Sequence, residues 1–424
     1  MIADRIVLTE LTARVGTTRE AAARSGLSEA DVLVQVRDLN ERIKRELGYR
    51  DSEPLTVTGD GAWKADGVAG VVRLNDRVEI EIVPKFLDAD DETWRRDFFL
   101  LAVLVRTGRL LLHDQIGADE ADRGDLATLV AWSLLAACEE NLRHPIRGYR
   151  RARAYDFAID GDVDLETLLL PDPDGFRLDR LELSNRTPYN ATICAAARIL
   201  EHETADTDTQ ARLHLLARNL APQDSSPRAS AYPSLPLRHQ NWAVAYDLAR
   251  LVVDGLGLDL LRGQFTGPGF VLSTWRAWEQ VCEEIVRAAL PHHRVQGQRV
   301  WTLGTRASGR PANATPDITV VGRDQSARIF DAKYKTRLLH GKQAITSTDL
   351  YESHAFMTAS GTTGIDLLYP ATTSPATLGA WELFDEVNLS CGQTARGTHV
   401  QIRGIARRGG FAQLVNGARA ALAP

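Results

Sequence analysis

At 424 residues the chain exceeds what one hydrophobic core usually serves, so two or three domains are expected; 44% hydrophobic and 25% charged residues mark it as globular. No run approaches the roughly 18 apolar residues of a membrane helix, and the N-terminus, MIADRIVLTE, lacks the basic-then-apolar pattern of a secretory signal. Cys138, Cys194, Cys282 and Cys391 form no CxxC pair, which excludes the common zinc spacings and fits reduced thiols in a cytoplasmic protein. The net charge of −6 gives no global attraction to nucleic acid.

Residues 1–66 read as helix, turn, helix and hairpin. Thr17 or Thr18 is placed to cap a first helix, Gly26 turns the chain, and Ser28 caps a second helix with Glu29 and Asp31 in its first turn. Val32, Val34, Val36, Leu39 and Ile43 recur near helical spacing, and PLTVTGDGAWKADG alternates around Asp60-Gly61 as a hairpin does. The set is winged-helix-like. Its charge is close to balanced and no basic recognition face stands out, so packing or partner contact is favoured over DNA reading.

Residues 67–265 form a mixed α/β region. Two alternating strand patterns surround an Asn75-Asp76 turn and end at Pro84, after which IVPKF leaves Lys85 exposed. Helical patterns follow at 94–108 and 125–142, split by an acidic loop near Asp119–Asp125, then the strand region RRARAYDFAIDGDVD. Helices are expected over 188–219 and 240–255, separated by the loop APQDSSPRASAYPSLP.

Residues 266–424 change character. A helix at 273–290 leads to a strand near 295–302, a Gly/Pro/Asn loop at 304–315, the strands DITVV and ARIFDAKY, a helix at 347–359 and the strand GIDLLYP. This order describes a mixed sheet flanked by helices, so the whole is an α+β / α/β multidomain chain. From Arg294 to Lys342 there are ten Lys or Arg against three Asp, a balance of 10 − 3 = +7. That suits a polyanion held beside a few carboxylates, with a solvated basic face as the evenly weighted alternative.

The chemistry sits in PDITVV and RIFDAKYK. Asp317 begins one strand, Asp331 and Lys333 lie on the next, and the interval between them suffices for a tight turn. Adjacent antiparallel strands would bring the three side chains together, and Asp331 and Lys333, two apart, share a face. Neighbouring carboxylates repel unless a cation relieves them, and hard oxygens suit Mg²⁺, with Mn²⁺ as the other choice. A cation there polarises a phosphoryl oxygen and acidifies water, while the Lys333 ammonium orients water and stabilises developing charge. This is the pattern of a PD-(D/E)xK phosphodiesterase core; a surface salt bridge between Asp331 and Lys333 is the minor alternative.

Upstream, STWRAWEQVCEEIVRAAL carries Trp275, Trp278, Cys282, Ile285 and Ala289 as an apolar stripe. Glu279 borders the stripe and is the preferred third metal ligand; Glu283 is a second choice and Glu284 faces water. GTRASGRP has the spacing of a phosphate loop, but Arg310-Pro311 replaces Lys-Ser/Thr, and Gly255-Leu256-Gly257 lacks the third glycine of a dinucleotide fingerprint. No nucleotide is expected on this chain. HExxH and GxSxG are also missing, which weakens protease and esterase readings.

The run PDITVV…ARIFDAKYK…STDLYESHAF…GIDLLYP resembles the McrC nuclease subunit of McrBC-type, 5-methylcytosine-dependent restriction systems. GVVRLNDRVEIEIVPKF, GYRRARAYDFAIDGDVD, ELSNRTPYNATICAAARIL and GPGFVLSTWRAWEQ are similar to further family segments in the same order, over about residues 67–370. The resemblance implies a restriction-endonuclease-like sheet in residues 266–424 and Glu279 over its neighbours. It implies a Mg²⁺-dependent endonuclease acting on double-stranded DNA for antiphage defence. It also implies a hexameric McrB-like AAA+ GTPase or ATPase as partner, contacted and stimulated by the N-terminal portion of the chain. Asp349 and Tyr351 match the helix motif after the catalytic strand, whereas Glu352 stands where the family has Gln and Phe356 where it has Tyr. Glu352, Tyr351 and Lys335 are further candidates for contacts to DNA or to water at the metal. A non-catalytic, NTPase-activating adaptor is the alternative, and a nuclease for RNA or single strands is another.

Overall fold

In the computed structural model the described residues are 4–50, 52–75, 77–87, 94–107, 126–170, 172–204, 206–220, 232–253, 270–322, 326–334, 337–339, 342–372 and 379–422. The acidic loop near 119–125, Asp76 of the expected turn, most of the Ser/Pro loop and Lys335 lie outside them. The chain divides into two compact units, Met1–Leu126 with Gly255–Pro424, and Ala127–Asp254. These units follow different lines from the segments 1–66, 67–265 and 266–424.

The first unit opens with β1 (Asp4–Thr9), α1 (Thr17–Ser25), α2 (Glu29–Leu47), the hairpin β2 (Leu55–Val57) and β3 (Trp63–Ala65), then β4 (Val68–Arg73), β5 (Val78–Val83) and α3 (Trp94–Thr107). The strand at 4–9 is an addition to the sequence-based expectation; β1 pairs in parallel with β5, from Asp4↔Val78 to Thr9↔Val83. Ile6, Leu8, Val32, Val36, Leu39, Ile43, Ile80 and Ile82 bury together with Trp63. Val34, counted in the helical stripe, is 55% exposed because it lies off that face of α2. Neither Thr17 nor Thr18 caps α1: Gly16 holds that position at φ 74°. The Thr17 hydroxyl donates to Arg14 O (2.6 Å), while that of Thr18 donates to Gly61 O (3.1 Å) and accepts from Trp63 Nε1 (2.8 Å), tying helix to hairpin. Ser28 does cap α2, its side chain accepting from the Asp31 N–H.

The second unit contains α4 (Leu126–Glu139), β6 (Gly148–Asp156), β7 (Asp162–Val163), α5 (Leu165–Leu169), β8 (Phe176–Ser184), α6 (Pro188–Glu203), α7 (Thr207–Leu220), a 3-10 turn at Leu237–Trp242 and α8 (Ala243–Val253). The helix expected over 188–219 is two. Thr204 leaves the helical conformation at ψ 139°, and the Asp206 carboxylate accepts from the Thr209 N–H (3.0 Å) to start α7. α6 packs on α7 and α8. β6 and β8 pair antiparallel over nine rungs, Gly148↔Ser184 to Asp156↔Phe176. This ribbon is exposed: β6 has no buried side chain and β8 buries only Leu178. Tyr149, Phe157, Leu165, Leu169, Leu170 and Leu181 stand in solvent on it and on α5.

The chain returns to the first unit with β9 (Phe270–Ser273), which runs directly into α9 (Thr274–Ala289). There follow β10 (Arg294–Gly297), β11 (Trp301–Thr305), β12 (Pro311–Ala314), β13 (Ile318–Val321), β14 (Ala327–Ala332), β15 (Arg337–Leu339), β16 (Lys342–Ala344), α10 (Ser347–Ser360), β17 (Gly364–Pro370), β18 (Trp381–Asn388), β19 (Thr394–Val400) and α11 (Gly410–Leu422). The loop expected at 304–315 is mostly the hairpin β11–β12. A six-stranded mixed sheet has the order β10-β13-β14-β17-β19-β18, with β14, β17 and β19 parallel. Ile329, Ile365, Leu367 and Tyr369 pack with Phe356 and Met357 of α10. A smaller sheet, β1-β5-β4-β9, takes its last strand from the residues that open α9. Among the described residues no helix is long and apolar enough to cross a membrane.

Candidate functional site

Register places the expected residues together. β13 and β14 are antiparallel with Ile318 opposite Phe330, so Asp317 falls opposite Asp331 at the carboxyl end of β14. Ile329 packs toward α10, and strand alternation sends Asp331 to that same side. Asp317 Oδ2 accepts from the Ala332 N–H and Oδ1 from Gln298 Nε2, each at 2.8 Å. Asp331 is 3% exposed, and its Oδ2 lies 2.5 Å from Lys333 Nζ. Lys333 also reaches Glu352 Oε2 at 2.6 Å and stands 4.0 Å from Asp349 Oδ1. Asp349 is itself fixed: it accepts from Tyr369 OH at 3.1 Å and from Thr346 Oγ1 at 2.8 Å, where Thr346 caps α10.

The electrostatics follow from burial and crowding. Burial pushes the Asp331 carboxyl up to about 7, the charge of Asp317 adds to this, and Lys333 opposes it. Asp317 is raised by burial and then by Glu279. Glu279, on α9, is pushed up to about 7 by burial and by Asp331. Burial disfavours the charged form of Lys333, but Asp331 and Glu352 outweigh it and raise its pKa. The three carboxylates therefore feel one another across a poorly solvated space.

The other candidates divide. Glu283 and Glu284 pair with Arg287 on their own helix. Tyr351 is 76% exposed, whereas its neighbour Glu352 engages Lys333. Lys85 is not exposed as expected. Its Nζ donates to Tyr334 O and lies 3.8 Å from the centre of the Tyr334 ring, because β5 ends beside the residue that follows Lys333.

Two participants carry no signal in the sequence. Gln298, at φ 49°, donates both its side-chain amide and its backbone N–H to Asp317. Glu10, 1% exposed at the end of β1, accepts from Thr274 Oγ1 (2.7 Å), Gly67 N (3.1 Å), Lys85 N (3.2 Å) and the Tyr334 hydroxyl. Nothing local marks either residue; both matter through partners distant in sequence.

A divalent cation can be tested against this arrangement. Among the described residues no three His, Cys, Asp or Glu side chains gather tightly enough to hold a metal. Asp317 and Asp331 nevertheless offer hard oxygens that repel without a counter-charge, and Glu279 lies within electrostatic reach of both. That donor chemistry fits Mg²⁺, which binds through one or two carboxylates and keeps several waters.

The class so defined is an open mixed α/β sheet with an acid-and-ammonium site at the carboxyl end of its parallel strands. The chain belongs to the family of McrBC 5-methylcytosine restriction system components, whose model matches residues 63–370. A refined half-complex from the tetradecameric assembly of Thermococcus gammatolerans McrB AAA+ hexamers with bound McrC is similar, with a TM-score of 0.70 and 14% identity. The match covers 99% of this chain and 100% of that one. A chain of the cryo-EM structure of the Thermococcus gammatolerans McrBC complex has a TM-score of 0.50 and 15% identity, covering 69% of this chain and 89% of that one. At such identities the likeness speaks for the fold alone. No curated protein matches the sequence.

Proposed function

We propose that this chain is the DNA endonuclease subunit of a McrBC-type restriction complex, working with a McrB-like AAA+ hexamer in the cytoplasm. The observation that carries the reading is the register that sets Asp317 against Asp331 with Lys333 in contact. The six-stranded sheet is then a PD-(D/E)xK core, and the strand, helices and hairpin of residues 4–65 are its winged-helix-like start. Asp317, Asp331 and Glu279 would hold the cation, Mg²⁺ or Mn²⁺, which would supply Lewis-acid polarisation of the phosphoryl group. Gln298 and the Ala332 N–H fix the Asp317 carboxylate. Lys333 keeps its proton and places positive charge where phosphate charge develops, with Asp349 and Glu352 setting its reach. The exposed apolar side chains that alternate with charged ones on β6 and β8, together with those of α5, suit burial in a protein partner, as does the likeness to McrC bound to McrB.

A second reading has one observation in its favour. The Lys333 ammonium spans Asp331 and Glu352, and among the described residues no third ligand is gathered, as in an adaptor that activates the partner without cutting. Asp331→Ala separates the two in the reconstituted complex with Mg²⁺. Loss of double-strand cleavage with partner NTPase stimulation intact is expected. An unmodified chain that never cuts while stimulating the partner favours the adaptor, and cleavage that survives Asp331→Ala sinks the metal site.

A further inference from the structure

The segment between β10 and β13 carries charge of one sign only. From Arg294 to Pro316 the chain has four arginines, Arg294, Arg299, Arg306 and Arg310, and no Asp or Glu, in a protein of net charge −6. β11 and β12 project from this segment as a two-stranded ribbon, and residues 302–311, which include its turn, are all exposed.

At the tip, the Arg306 N–H donates to Arg310 O (2.8 Å) and the Gly309 N–H to Arg306 O (2.9 Å), with Gly309 at φ 78°. Arg306 and Arg310 therefore share one rung, next to the pair Thr305↔Pro311. Like charges directly opposite destabilise a ribbon. Among the described residues no carboxylate pairs with either, nor with Arg294 or Arg299, so the fold does not account for the placement. A local conflict of this kind marks a site kept for a ligand.

The ribbon is also tied to the candidate site. At its root the Arg299 guanidinium lies 4.1 Å from the centre of the Trp301 ring, and Trp301 pairs with Ala314. Two residues on, buried Pro316 leads into Asp317, which Gln298 grips from the other end of the ribbon. Anything held at the tip is thereby registered to Asp317. Asp317 follows Arg310 by roughly 23 Å of fully extended chain at most, or about seven base pairs of duplex.

We propose that Arg306 and Arg310 clamp the phosphate backbone of duplex DNA beside the Asp317–Asp331 site. The choice of occupant rests on the phosphodiesterase reading above. Paired guanidinium forks match phosphate geometry, and between Arg306 and Arg310 the tip carries only Ala307, Ser308 and Gly309, without the Asn, Gln or acidic side chains that read bases bidentately, so the grip at the tip falls on phosphate.

The test uses the full chain carrying Asp331→Asn, so that the DNA stays intact, and a fluorescein-labelled duplex followed by anisotropy across a salt series. Adding Arg306→Ala and Arg310→Ala should weaken binding about 10-fold and lower the slope of log affinity against log salt by about two. Arg306→Lys with Arg310→Lys should keep most of the slope. Unchanged affinity and slope in the alanine pair, in a variant that melts as its parent does, overturns the proposal. So does lost binding to the AAA+ partner with DNA affinity intact, which makes the ribbon a protein contact. If the unmodified chain never cuts yet the arginine pair sets the salt slope, the nuclease reading falls and the clamp stands. If it cuts and the pair is silent, the clamp alone falls.

Discussion

Gln298 holds a left-handed backbone conformation that costs most residues roughly 1–2 kcal/mol, and in return its amide fixes Asp317. Gln298→Ala keeps the strained backbone and removes the side-chain bond. Cleavage by the reconstituted complex should fall about 10–100-fold, while the melting temperature moves little; an unchanged rate would show that Asp317 needs no such support. Glu10 offers a test in pH. Burial raises its carboxyl above 4.5, with the hydrogen bonds from Tyr334, Thr274 and Lys85 opposing the rise. A folded-state pKa above the unfolded one contributes stability that is fully present below the unfolded value and is lost as pH rises through the folded value. The stability of Glu10→Gln relative to the parent should therefore improve as pH climbs from 4.5, then level off. A difference that stays flat with pH, measured by denaturant unfolding, would remove Glu10 from the account. Asp317, Asp331 and Lys333 are legible in the sequence because a two-residue period and a short turn are local facts. Gln298 and Glu10 are not, because their partners lie 19 and 324 residues away.

At the scale of elements, helices with a clear start and a well-marked end are readable to within a residue or two, as α9 and α10 show. The break between α6 and α7 falls in the polar stretch EHETADTDTQ, which has neither Gly nor Pro to mark a turn, and the Asp206 cap reveals it. Asp206→Ala should cost about 1 kcal/mol, read as an earlier denaturant midpoint. No shift would mean that packing alone starts α7. The hairpin β11–β12 reads as a loop because Gly, Pro and Asn crowd it, and because short strands that lie beside α10 and bury only Ala314 need no apolar alternation. Trp278 is a stronger case: fully buried on α9, it donates Nε1–H to Leu368 O at 3.0 Å and so fastens that helix to β17. Trp278→Ala should cost about 3–5 kcal/mol, and a loss under about 1 kcal/mol would contradict its place in the core.

For the whole molecule, sequence order and spatial order part company. β9 completes the sheet begun by β1, β4 and β5, pairing Val68↔Ser273 to Val71↔Phe270. Asp97 accepts from the Gly404 and Ala406 N–H groups at 2.6 and 2.9 Å, and Phe86 packs on Trp278 and Tyr334. No periodicity in the sequence announces these pairings, which is why the sequence divides most naturally into three successive segments. Residues 266–424 expressed alone should be poorly soluble, with recovery on co-expression of residues 1–126. A fragment that melts cooperatively by itself would argue against this dependence.

The buried Glu10 also sets an order of events during synthesis. Until Thr274 and Tyr334 have left the ribosome, this carboxylate lacks two of its four donors and β4 lacks its outer neighbour. Residues 127–254 form a compact unit of their own and can settle first. A nascent chain arrested near residue 295, so that residue 254 has emerged while Thr274 is still inside the ribosome, should thus resist brief protease treatment over that insert while its older N-terminal residues are still digested. The part of the chain made first is then the part that finishes late.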